Sequence, residues 1–151
     1  MLDKAIAIAV PAHAGQVDKV GQPYILHPLR VMFRCEREIE RIVAILHDVV
    51  EDTAVTRDDL RKAGFSEEVL AALEGVTNRE GEDYESFIER AALNPIARQV
   101  KLADLEDNMD VRRLQSVTDN DANRLAKYVK AWNRLREMPA LVIGGAKASG
   151  M

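Results

Sequence analysis

The side chains best suited to chemistry fall in a few short stretches, and the densest is LHDVVEDT, residues 46 to 53. It brings His47, Asp48, Glu51, Asp52 and Thr53 within seven residues at the end of an apolar run. An imidazole next to a carboxylate offers a nitrogen and an oxygen to a divalent cation, and the fold must bring further nitrogen or oxygen ligands to complete the shell. The sequence holds two other histidines, His13 and His27, each where the chain changes direction. A further acid, Asp104, sits in the apolar context VKLAD, much as Asp48 sits in AILHD. Burying an ionised carboxylate is costly unless a cation or a hydrogen-bond network compensates, so both aspartates invite a charged partner. Each residue also has a plainer reading. A lone histidine more often satisfies a backbone group, and an acidic pair such as Glu51-Asp52 more often ends a helix in solvent.

Helices must carry these groups. Residues 2 to 14 read as a first helix that Pro11 disturbs near its end, where His13 stands as the cap. The glycine-bearing GQVDKVGQP, 15 to 23, reads as a loop, and Pro28 favours the start of a second helix at His27-Pro28. Between Glu38 and Asp52 the apolar residues Ile39, Ile42, Val43, Leu46 and Val50 recur every three or four positions, which predicts a third helix with a buried stripe. Thr56 with Asp59 forms a capping box before a short helix that Gly64 ends, and Ser66 caps the next. Helical spacing resumes from Tyr84 to Leu93, Pro95 opens a seventh helix carrying Asp104 and Asn108 on one side, and a last helix spans about Asp121 to Met138. Strand-like alternation and internal repeats are lacking, so the expected fold is all-α, a bundle of about seven or eight helices. The expected domain covers residues 1–138; the tail 139–151 is expected to be partly disordered, with LVI near Leu141 its one weak strand candidate.

Bulk properties narrow the function. A chain of 151 residues with 47% hydrophobic content is long enough to bury one continuous core. A net charge of -4 without a concentrated basic face argues against a nucleic acid polymer as partner, yet leaves room for a small anion, which needs only a few local cations. The single Cys35 cannot form an internal disulfide, the N-terminus lacks the pattern of an export signal, and no apolar run approaches a membrane span, so the expected location is the cytoplasm, with no membrane partner.

Four separately spaced motifs carry a resemblance: His13; then YILHP, 24 to 28; then HDVVED, 47 to 52; then VKLAD, 100 to 104, with Asn108. Together they resemble the HD-domain hydrolases of the alarmone (p)ppGpp, including the small single-domain ones, over about residues 2 to 135. The resemblance implies an all-α HD fold with one divalent ion, typically Mn2+, held by His13, His47, Asp48 and Asp104, with positions left open for water and phosphate. It implies that Glu51 and Asp52 orient or activate the attacking water, that Asn108 lines the substrate site, and that His27 supports the site from outside the ligand shell. The implied activity is a 3′-pyrophosphohydrolase acting on a small nucleotide; no segment resembles a synthetase, so the expected chemistry is degradation.

The chain departs from the family pattern at its basic positions. Where an arginine-lysine pair usually stands it has Asp18-Lys19, and Leu105 and Asp110 replace residues that are usually basic. Lys19 is the best remaining phosphate contact, ahead of Arg30, Lys101 and Arg112. An aspartate cannot stack on a base as a guanidinium does. Two other readings therefore stand beside the first: a phosphohydrolase for a different nucleotide (an adenine alarmone, a dinucleotide phosphate or a nucleoside monophosphate), and a catalytically weak nucleotide sensor.

Overall fold

The computed structural model describes residues 1–138, so the expectations for the tail and for the LVI segment lie outside the described residues. Eight α-helices make up the described chain: α1 Leu2–Ala12, α2 Leu26–Phe33, α3 Glu38–Asp52, α4 Arg57–Lys62, α5 Glu67–Val76, α6 Tyr84–Ala92, α7 Pro95–Asn108 and α8 Asp119–Glu137, with a short 3-10 helix at Val111–Arg113. The all-α expectation holds. The one β-like feature among the described residues is an isolated antiparallel bridge between Val17 and Pro23.

Local chemistry sets most of the boundaries. The Thr56 hydroxyl accepts from the Asp59 amide, the Ser66 hydroxyl from Val69, and the Asn94 side chain from Ile96 and Ala97, with Pro95 following it in the first turn. Gly64, at φ +98°, supplies the left-handed step after α4. α1 stops at Ala12 just after Pro11, with His13 at its C-cap.

α3 is the central helix, packed against α1, α2, α5 and α7. Ile42, Val43, Ala44, Ile45, Leu46 and Val49 are all buried, so the helix is covered on most of its sides and carries His47 and Asp48 into the interior. Each large aliphatic side chain hidden this way contributes about 1.5–3 kcal/mol, which is what holds the polar pair in place. α7 is drawn close to α5 at Gly75, where an added Cβ would lie 2.7 Å from the Ala97 Cβ. Two apolar clusters result. The larger joins α1 to α5 with Ile96, Ala97, Val100 and Ala103 of α7; the smaller joins Ile88 and Ala92 of α6 with Leu105 of α7 and Ala131 and Leu135 of α8.

Candidate metal centre and the adjoining cavity

α3 presents His47 and Asp48 toward α2 and α7. The His47 Nδ1 lies 2.5 Å from the Ala44 carbonyl, one turn back, which places the proton on Nδ1. Its Nε2 is 3.2 Å from Asp48 Oδ2 and 3.5 Å from Asp104 Oδ1, close enough for ion pairing but without hydrogen-bond geometry, and it is a buried nitrogen with no hydrogen-bond partner. From the first turn of α2, His27 Nε2 reaches Asp104 Oδ1 at 3.0 Å and Asp48 Oδ2 at 3.6 Å. One donor atom each from His27, His47 and Asp104 lie within 4.8 Å of one another. Asp48 Oδ2 also accepts from the Tyr24 hydroxyl at 2.5 Å. Two imidazole nitrogens thus converge on two carboxylates, with both Nδ1 atoms held from behind. That donor set suits a divalent cation of the Mn, Fe, Co, Ni or Zn group.

The charges agree with this. Burial alone would push His47 toward neutrality, but Asp48 and Asp104 outweigh it and take the imidazole up to about 10. Asp104 would be raised by burial, yet Lys101, His27 and His47 hold it well below the usual carboxylate range. The Lys101 ammonium donates to Asp104 Oδ2 at 2.9 Å, lies 4.9 Å from the centre of the Phe87 ring, and is pushed up to about 12, the pull of Asp104 overcoming burial. The site is a pool of buried negative charge that binds protons on its histidines, and a divalent cation competes for the same nitrogens.

His27, rather than the His13 that the resemblance implies, has its donor atom grouped with those of His47 and Asp104. His13 stands outside the three-residue group: its Nδ1 is 2.8 Å from Gln16 Oε1, Gln16 Nε2 donates to the Asp52 carbonyl at 3.2 Å, and its ring lies 5.2 Å from that of Tyr24. Its Nε2 is buried without a partner. As the cap of α1, His13 is tied into the loop that follows. α2 begins at Leu26, so His27 falls inside the helix, on the side turned to α3 and α7.

Glu51 and Asp52 stand at the end of α3, one turn past His47 and Asp48. Burial and repulsion from Asp48 push both carboxyls above their ordinary range, and Asp52 adds to the rise of Glu51.

A cavity of about 300 Å³ opens beside His27; Lys19, Asn108, Arg113, Arg124 and Tyr128 also line it. Asn108 Nδ2 donates to Asp104 Oδ1 at 3.2 Å, which ties the cavity wall to the metal-ligating candidates. The Lys19 ammonium is pushed below its usual range by burial and then by Arg124. The three departures from the family pattern each have local work. Asp18 accepts from the Val20 and Gln22 amides at 3.0 and 2.9 Å and closes its own loop. Asp110 grips Arg112 through two contacts of 2.8 Å. Leu105 is wholly buried in the smaller apolar cluster. Arg112 is thereby turned away, and Arg113 and Arg124, which spacing alone did not single out, face the cavity.

Known proteins resemble this chain in sequence and fold. The chain is 32% identical over 83% of its length to an Aquifex aeolicus protein named guanosine-3′,5′-bis(diphosphate) 3′-pyrophosphohydrolase, and 30% identical over 83% of its length to the bifunctional (p)ppGpp synthase/hydrolase SpoT of Escherichia coli. It spans about a fifth of each relative, 19% and 20%. A solved structure described as a metazoan orthologue of SpoT that hydrolyses ppGpp superposes with a TM-score of 0.75 at 26% identity, over 92% of this chain and 87% of that one. The chain resembles an HD-type hydrolase domain. It resembles the hydrolase part of the SpoT-type enzymes, although no protein-family model matches it. No helix among the described residues is long and apolar enough to cross a membrane.

Proposed function

We propose that this chain is a metal-dependent phosphohydrolase that removes the 3′-diphosphate from guanosine alarmones such as ppGpp, in the cytoplasm. The observation that carries the reading is the convergence of His27, His47, Asp48 and Asp104 beside a cavity whose wall holds Lys19, Arg30, Arg113 and Arg124 along with Asp18, Asp110 and Asp121. These four residues would hold one divalent ion, Mn2+ by the family resemblance, with His13 replaced by His27 in that role. When bound, the ion neutralises phosphoryl charge and makes water acidic enough to serve as a nucleophile near neutral pH. Glu51 takes the proton of the attacking water, and its raised carboxyl keeps it basic enough to do so. Asp52 orients that water, with its own backbone held by Gln16. Lys19 contacts the phosphates, and Asn108 positions substrate while bracing Asp104.

Purified protein incubated with Mn2+ and ppGpp releases pyrophosphate well above a His47→Ala control; equal release from the two defeats the reading. A second reading keeps the metal and changes the nucleotide. It is favoured by Leu105 and Asp110, neither of which offers a positive charge to the cavity. Release of phosphate or pyrophosphate from an adenine alarmone or a nucleoside monophosphate, but not from ppGpp, would select it.

A further inference from the structure

Asp107 is the one acidic residue among the described residues with no exposed surface at all, and neither the proposed reaction nor the family motifs employ it. It lies one turn beyond Asp104 on α7, so two carboxylates three residues apart face the same way and enclose the His27 ring. Asp104 Oδ1 sits 3.0 Å from Nε2, and Asp107 Oδ2 sits 2.7 Å from Nδ1. Behind it, Arg30 donates through Nε at 2.8 Å and Nη2 at 3.2 Å, and Arg113 Nη1 lies 3.3 Å from both carboxylate oxygens. Two guanidinium groups thus face the Asp107 carboxylate from behind while its Oδ2 meets the imidazole.

We propose that Asp107 is the positioning residue that fixes the tautomer and tilt of His27, keeping the proton on Nδ1 and turning Nε2 toward Asp48 and Asp104. A carboxylate behind a ligating imidazole raises its basicity and fixes its orientation. Arg30 and Arg113 balance the charge of that carboxylate. A purely structural ion cluster needs the arginines but has no need of the imidazole, and this difference separates the two roles. The inference rests on the metal site proposed above.

The test loads 15N-histidine-labelled protein with Zn2+, which is diamagnetic, and reads metal affinity by competition with a chelator and the tautomer of each imidazole from long-range proton–nitrogen correlations. In the unsubstituted chain His27 carries its proton on Nδ1. Asp107→Asn lowers affinity by roughly 10- to 100-fold, as loss of such a partner does elsewhere, and shifts the His27 signals while His47 keeps its own. Arg30→Gln, which breaks the ion cluster but spares the His27 contact, leaves affinity within about twofold and the tautomer unchanged. Equal affinity in Asp107→Asn, or a proton on Nε2 of His27 in the Zn2+-loaded unsubstituted chain, overturns the inference; the second measurement stands even where the variant fails to fold. An unsubstituted chain that binds no Zn2+ overturns the metal site and this inference with it, whereas tight binding with an indifferent Asp107 overturns this inference alone.

Discussion

The floor of the site and its rim are built on different rules. On the floor distant stretches of sequence are tied together, Tyr24 to Asp48 and His27 to Asp104 and Asp107, alongside local contacts such as His47 to Ala44 and Lys101 to Asp104. On the rim the charged groups are answered within a few residues: Asp18 by Val20 and Gln22, Asp110 by Arg112, Asp121 by Arg124. A buried group that loses its partner is left uncompensated, so floor residues constrain one another. A rim residue touches mainly its own loop and solvent, so its charge can change while the metal-ligating candidates stay as they are. That is how a chain keeps HDVVED and VKLAD yet carries Asp18 and Asp110; Leu105 is instead buried in the smaller apolar cluster.

The largest effects are therefore expected on the floor. His27→Ala abolishes stoichiometric metal binding and lowers turnover more than 100-fold, beyond the loss of about 10- to 100-fold for an outer partner, whereas His13→Ala retains the metal; elemental analysis of the two proteins reads the difference. Asp104→Ala also leaves the Lys101 ammonium buried without its anion, at a cost of about 3–5 kcal/mol. Calorimetry should show a melting temperature lower by about 10 °C, and a Lys101→Met, Asp104→Ala pair should recover much of that loss.

Glu51 stands between floor and rim. Glu51→Gln keeps the metal but lowers kcat by about 10²–10⁴-fold. A general base works when ionised, so a carboxyl raised above its ordinary 4.5 places the acidic limb of the rate profile above pH 4.5, and the limb disappears in the glutamine variant. A profile with the limb unmoved in Glu51→Gln assigns the proton transfer to another group.

Rim substitutions come last. Lys19→Ala raises KM by less than about fivefold, an effect that added salt diminishes, with kcat nearly unchanged. Asp18→Ala loosens its turn by about 1 kcal/mol, read as a small drop in melting temperature with KM unaltered. A large change in kcat from either substitution would erase the distinction between floor and rim.

The sequence is most legible where the governing physics is local. Thr56 with Asp59, Ser66, and Pro95 mark helix starts because the first turn is set by its own next few residues. His47, Asp48 and Asp104 stand out because charged groups in apolar runs need partners. The choice between His13 and His27 is not local: it depends on which helix face meets α3 and α7, and both histidines sit at helix edges with similar neighbours. Asp107 escapes notice because LEDN reads as a solvated helix end, while the packing of α2 and Arg113 over it leaves no exposed surface. Arg113 and Arg124 reach the cavity through the arrangement of the 3-10 helix and α8, which no motif announces.

α7 contributes Ala103 to the larger apolar cluster and Leu105 to the smaller, so Asp104 sits on the seam between two cores of unequal size. Regions with fewer buried apolar contacts open more often in the native state. Amide hydrogens of α8 should thus exchange with solvent well before those of α3, and openings at α8 would bare the wall that holds Arg124 and Tyr128 while His27, His47 and Asp48 keep their mutual distances. The far wall of the cavity is then a door hung on the smaller core, and its frame is the larger one.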